Sequence, residues 1–259
     1  MLRSLRVTFL IAFLLIAGCQ HAENKEEDTG NKKTDLSKAA SYNVQLGLGY
    51  LKQGDRPRAK RKLLTAMEQE PESADVNAAM AYYFEQTSEL EEAKKYYVKA
   101  IALSGSSGAQ LNNYGTFLCR QGDYKKAESY FLKAVKDVKY VHTSGAYENA
   151  GLCALEVPDI EKARLYFNNA LNQDPSRRVS LYELAKLESK AGNDEKALLL
   201  VQQHPDLVLN DRIFLSFAKS LAEKNGNQTL AAEYESSLKK MEPTTDISGV
   251  NNEYNSHNG

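Results

Sequence analysis

The sequence predicts an all-α fold, a solenoid of six helix–turn–helix repeats over residues 40–245. Three observations carry this. Alanine returns at a fixed interval: Ala59, Ala93 and Ala127 lie 34 residues apart, Ala163 follows after 36, and Ala197 and Ala231 resume the 34-residue step. Other places in the same frame repeat their residue type, alternately small and large. The chain has 259 residues, 42% hydrophobic and 26% charged, enough for several small units that share one core.

Taken in chain order, the first element is an address. Arg3 and Arg6 precede an apolar run from Val7 to Ala17. The run is too short to span a hydrocarbon core of ~30 Å but fits the apolar stretch of an export signal. Ile16-Ala17-Gly18-Cys19 follows, and small residues just before a cysteine resemble the lipobox of bacterial lipoproteins. That resemblance implies removal of residues 1–18 and lipidation of Cys19. The alternative is an ordinary cleaved signal that contains a cysteine. Gln20, where an Asp would retain the protein at the inner membrane, points to the outer membrane. The mature chain loses Arg3 and Arg6, leaving 31 basic against 34 acidic residues, a formal charge of about −3. Residues 19–39 form the lipidated cysteine and a polar stretch expected to be a flexible tether. Its span is ~25 Å.

The repeats start near 40, 74, 108, 144, 178 and 212, with two extra residues around 142–143. The eighth place of each unit reads Gly47, Ala81, Gly115, Gly151, Ala185 and Lys219. The twenty-fourth reads Leu63, Tyr97, Phe131, Phe167, Val201 and Glu235. Ala66, Ala100, Ala134 and Ala170 hold the twenty-seventh, where His204 and Leu238 follow. The fifteenth reads Gly54, Ser88, Gly122, Pro158, Gly192 and Gly226, a turn. Two antiparallel helices pack closely only with small residues at their crossing, and a large neighbour fills the groove beside it. Glycine permits the turn, and Pro71, Pro175 and Pro243 close three second helices. This pattern resembles the tetratricopeptide repeat, a 34-residue helix–turn–helix, although the Trp usual at the fourth place is missing. The resemblance implies a right-handed superhelical solenoid. Repeat five has His204-Pro205 cutting its second helix short, and repeat six carries Lys219 and Glu235 at core places. Such departures suit terminal units, which present a polar outer face. Residues 246–259 are polar and expected to fray.

A repeat solenoid normally holds another protein on the face built from its first helices. Places 2, 5, 9, 12 and 13 are expected to point into that groove. Repeat one offers Val44, Leu48 and Leu51, with Lys52 beside them. Repeat two adds Tyr82, Glu85 and Gln86, and repeat three adds Asn112, Thr116 and Arg120. Exposed apolar side chains there suit an apolar partner segment. The other reading is that Leu48 and Leu51 pack against residues 36–42 or cap the stack.

Cys119 and Cys153 fall in the first helices of repeats three and four, which are expected neighbours. Helix axes ~8–10 Å apart allow Cα atoms to approach the 4.4–6.8 Å bridging range. In an oxidising compartment a disulfide is expected, closing a loop of ~34 residues and contributing ~3–4 kcal/mol. Two small buried thiols are the alternative. Arg56, Arg58, Lys60, Arg61 and Lys62 make a basic run at the start of repeat one's second helix. It is either a solvated face or a site for anionic lipid or an acidic partner strip.

Several classes are excluded. Near-neutral charge gives no case for nucleic acid. Four scattered His residues make a His metal site unexpected. Gly47, Gly49 and Gly54 follow no strand and match no phosphate-loop spacing. No Ser/His/Asp set, paired-carboxylate motif or HExxH is present, so no enzyme and no cofactor are expected. The whole chain is similar to the pilotin lipoproteins of type IV pilus biogenesis, the PilF or PilW family. LGLGYLKQGDRPRAKRKL (46–63), NNYGTFLCRQGDYKKAESYF (112–131) and YENAGLCALEVPDIEKARLYF (147–167) carry the likeness, the last two with the cysteine pair at the family's positions. The resemblance implies a monomer on the periplasmic face of the outer membrane that binds pilus secretin subunits and promotes their localisation and multimerisation. The competing reading is another outer-membrane repeat lipoprotein, an adaptor for cell-wall enzymes or for outer-membrane protein assembly.

Overall fold

The computed structural model describes the backbone of residues 25–241 and the side chains of residues 35–241. The expected signal segment, Cys19 and the tail 246–259 lie outside the described residues. Those described form thirteen helices and no strand. They pair as hairpins in chain order: α1 (Lys25–Lys52) with α2 (Arg56–Gln69), α3 (Ala74–Gln86) with α4 (Leu90–Leu103), α5 (Gly108–Arg120) with α6 (Tyr124–Ala134). Next come α7 (Thr143–Glu156) with α8 (Ile160–Gln173) and α9 (Arg178–Lys190) with α10 (Asp194–Gln202). A single turn, α11 (Pro205–Leu209), precedes the last hairpin, α12 (Arg212–Lys224) with α13 (Gln228–Lys240). Each first helix also packs on the second helix of the hairpin before it, which makes the six hairpins a one-dimensional stack.

The crossing inside each hairpin is steric. A Cβ placed on Gly47 would lie 2.7 Å from Leu63, one on Gly115 2.8 Å from Phe131, and one on Gly151 2.6 Å from Phe167. Repeats two and five accept alanine at the eighth place, opposite Tyr97 and Val201. The repeating alanines at the twentieth place are buried in all six units, from Ala59 to Ala231. In repeat six the eighth and twenty-fourth places hold Lys219 and Glu235, which form an ion pair at 2.8 Å. A hydrophilic pair there is tolerable because both side chains keep contact with water, at 31% and 38% exposure. Five helices start at a side-chain oxygen that accepts from a backbone N–H three residues on: Asp55, Ser73, Asp159, Asp211 and Asn227.

The tether expectation is corrected over residues 25–39, which continue α1 as helix. Polarity governed whether that stretch buries surface, not its backbone conformation; its Lys and Glu are good helix formers. The short second helix of repeat five is as read: α10 ends at Gln202 and Pro205 opens α11.

Candidate functional site

The first helices α1, α3, α5 and α7 each pack on the next in the series, and their expected groove residues divide into three groups. Lys52 and Gln86 are exposed. Val44, Leu48 and Tyr82 are half-buried and pack, with buried Leu51, on the core of repeats one and two. The rest are spent on joining repeats. Glu85 of α3, 9% exposed, accepts from both branches of the Arg120 guanidinium on α5, the second at 2.8 Å, and from the Tyr97 hydroxyl at 3.0 Å. Asn112 is wholly buried, and Thr116 nearly so. Asn149 of α7 donates to Asn112 at 3.0 Å and lies 3.4 Å from the Thr116 hydroxyl. So Leu51, Glu85, Asn112 and Thr116 do not line an open groove. Their side chains meet the next first helix, and a buried polar group keeps its place by pairing.

The stitch changes the acidity of its members. Burial and the adjacent Glu85 charge hold the Tyr97 hydroxyl well above its ordinary value. Burial alone lowers the Arg120 guanidinium, but Glu85 outweighs it and the net shift is upward. A second stitch follows two repeats on. Glu148 of α7 takes Arg177 and accepts from the Ser180 hydroxyl at 2.7 Å and the Ser180 backbone N–H at 3.0 Å. A carboxylate thus caps the start of α9 from the neighbouring helix. Between these two, Cys119 of α5 and Cys153 of α7 are bridged, with Cα atoms 5.8 Å apart. They occupy the twelfth place of one repeat and the tenth of the next, because the two extra residues at 142–143 shift the frame between them.

Open space lies further along. A cleft of about 630 Å³ is bounded by Glu148 and Leu152 of α7, Arg177, Arg178 and Val179 at the start of α9, and Leu207 and Asn210 around α11. A shallower one of about 500 Å³ lies beside Tyr182, Ile213 and Phe217. The Tyr182 ring meets Phe214 at 5.2 Å and Phe217 at 5.4 Å, so large rings fill the gap between α9 and α12. Sequence reading missed these clefts; their only signal was His204-Pro205, the site of the α11 insertion. Among the described residues no cluster of His, Cys, Asp and Glu could hold a metal ion. No described helix is long and apolar enough to cross a membrane. The clefts present apolar ledges, amides and fixed charges that suit a protein segment.

Comparison with known proteins agrees with this. The tetratricopeptide repeat family model matches residues 44–108 and 115–178. The type IV pilus assembly protein PilF of Pseudomonas aeruginosa is 33% identical over 242 residues, covering 92% of this chain and 93% of that protein. A solved structure of Pseudomonas aeruginosa PilF superposes with a TM-score of 0.63 at 32% identity, covering 82% of this chain and 95% of the other. PilW, a widely conserved type IV pilus biogenesis factor, superposes with a TM-score of 0.62 over 83% of this chain and 96% of its own. At 23% identity it speaks to the fold.

Proposed function

This chain belongs to the PilF/PilW family of tetratricopeptide-repeat proteins, and on that footing we propose that it is an outer-membrane pilotin lipoprotein. It has its place in type IV pilus biogenesis. In this reading Cys19 carries the lipid, the repeats face the periplasm, and the client is the pilus secretin subunit, bound and promoted to its ring. The observation that carries the reading is likeness to PilF along nearly the whole of both chains, 92% of this one and 93% of the other. The fold supports it, because a stack of hairpins offers extended surface for a protein partner. Anchoring supplies the gain: a lipid holds scaffold and client at one membrane, which raises the effective concentration of each for the other. The Cys119–Cys153 bridge belongs to the same reading, since the periplasm is oxidising.

The test is affinity capture with the full lipidated chain from detergent-solubilised envelope, followed by mass spectrometry. Recovery of the pilus secretin is expected, together with loss of secretin rings and twitching in a deletion strain. Recovery of peptidoglycan hydrolases or barrel-assembly subunits without secretin overturns it and leaves an adaptor of another kind. Replacing Cys19 separates the two roles. A misplaced client assigns localisation to the lipid; rescue by excess soluble protein assigns multimerisation to the repeats.

A further inference from the structure

Short connections join the six hairpins, so every first helix runs the same way and starts at one edge of the stack. That edge is also where α1 leaves the stack. Ala40 is buried in repeat one, and α1 continues as helix from there back to Lys25. At 1.5 Å per residue the 25–39 extension reaches ~22 Å beyond the edge. Five residues separate Lys25 from Cys19 and span at most ~17 Å, so Cys19 stays on the outer side of this edge.

Five connections between hairpins lie along the same edge: 70–73, 104–107, 135–142, 174–177 and 203–211. The third differs from the others. It carries Lys136 and Lys139 against one acid, whereas none of the other four has more basic than acidic residues. It also carries Val138 and Val141, exposed at 97% and 82%; no other large apolar side chain described exceeds 66%. The connection is pinned from beneath. Asp137 accepts from the Gly108 backbone N–H at 2.7 Å and from that of Lys139 at 3.0 Å. Tyr140 packs so closely on Gly108 that a Cβ there would lie 2.5 Å from it. The acid is thus held against the backbone, while Lys136 and Lys139 are exposed and make no ion pair among the described residues. A protruding apolar tip with no facing groove suits a fluid interface, where acyl chains close around it, and cations beside it suit lipid phosphates.

We propose that the 135–142 connection is a second membrane contact. Val138 and Val141 enter the headgroup boundary of the leaflet that holds the Cys19 lipid, and Lys136 and Lys139 pair with anionic headgroups. The inference rests on the lipid-anchored reading and adds what a lipid alone does not supply, an orientation. One contact precedes repeat one and the other lies between repeats three and four. Together they hold the stack aslant, with its middle against the membrane and repeat one lifted by the α1 extension. Val141 also stands at the rim of the cleft beside α7, so a protein occupant is the outcome the test separates from lipid.

The experiment reconstitutes the full lipoprotein in vesicles of phosphatidylethanolamine and phosphatidylglycerol. A fluorescent amino acid stands at Val138, at Val141 or, as control, at Val157, which is 45% exposed at the opposite edge, between α7 and α8. Flotation with the vesicles reads the anchor, and quenching by lipids brominated along the acyl chain reads the loop. All three chains are expected to float, with quenching at Val138 and Val141 and none at Val157. Lys136→Gln with Lys139→Gln lowers the ratio of docked to undocked loop roughly 25-fold, about fivefold for each lysine near an anionic surface. Phosphatidylcholine in place of phosphatidylglycerol lowers it likewise. An unchanged melting temperature shows that the variant is folded. If it is not, about 1 M salt, which cuts the screening length to ~3 Å, removes the same attraction from the unaltered chain. Flotation without quenching at Val138 overturns the second contact and leaves the anchor standing; failure to float overturns both. Equal quenching at Val157, or indifference to the lysines and to anionic lipid, also overturns the proposal. A photo-crosslinker at Val138 in the native envelope is expected to label lipid, and capture of a protein in its place counts against the membrane contact.

Discussion

Gly115 shows how one hydrogen atom supports a repeat. An added Cβ meets the Phe131 ring at 2.8 Å and the Ala127 carbonyl at 3.3 Å. Alanine gains ~1 kcal/mol of helix propensity, but overpacking a filled crossing costs about 1–3 kcal/mol. Gly115→Ala is therefore expected to destabilise in urea titration. Gly115→Ala with Phe131→Val, the pairing repeat five uses in Ala185 and Val201, is expected to recover most of the loss. Additive effects would remove the steric coupling. Ser88 is the mirror case. It holds the turn with φ of 66° where Gly54, Gly122, Gly192 and Gly226 stand in other repeats, and a side chain there is strained. Ser88→Gly is expected to raise stability by ~0.5–1 kcal/mol, seen as a higher melting temperature. Glu128 sets a pH window. Burial raises its carboxyl, but the Tyr166 hydroxyl and Lys162 outweigh burial and hold it below the ordinary 4.5. A depressed folded value means stability present above about pH 4.5 and lost as pH falls through the lowered value. Glu128→Gln is expected to flatten that acid limb; an unchanged slope counts against the assignment.

Two features belong to elements. The bridge between α5 and α7 ties neighbouring repeats across a 34-residue separation. Reduction is expected to free two thiols and lower stability by ~3–4 kcal/mol, measured by thiol titration and urea unfolding side by side. Two reactive thiols before reduction would refute the bridge. The charges of α2 run against its own dipole. Arg56 and Arg58 stand in its first turn, which contains no acid, whereas α4, α8 and α10 begin with Glu91, Glu161 and Asp194. Cations at a helix start are unfavourable, so Arg56→Glu is expected to raise the melting temperature. A fall would mean that Arg56 has a structural partner. An arrangement that local stability disfavours fits selection for contact with something outside the helix.

At the scale of the whole molecule the solenoid is a stack whose units differ by position. Its middle is closed on itself through Glu85–Arg120, Asn112–Asn149 and Glu148–Arg177. Open space remains beside these junctions, in clefts that run from α7 to α11 and from α9 to α12. Contact with a client is thus expected at the open clefts, and substitutions at the three buried junctions act through stability. The 34-residue frame, the hairpin crossings, the turns and the short α10 were legible in the sequence. Each rests on a steric demand met inside one repeat: a small residue where two backbones cross, a left-handed turn, a proline that stops a helix. Family membership was legible through resemblance, carried by segments 46–63, 112–131 and 147–167 with their cysteine pair, and the likeness to PilF extends over 92% of the chain. What only the tertiary structure decided arises between repeats. Glu85, Asn112 and Thr116 are polar and stand at places that face a groove when one hairpin is considered alone. Lateral stacking of α3, α5 and α7 buries them against partners about 35 residues away, and no local pattern marks such pairs. The helical 25–39 segment and the cleft beside α11 were equally hidden, since charge pattern does not distinguish a tether from an exposed helix, and a proline says where a helix ends but not what space its ending opens.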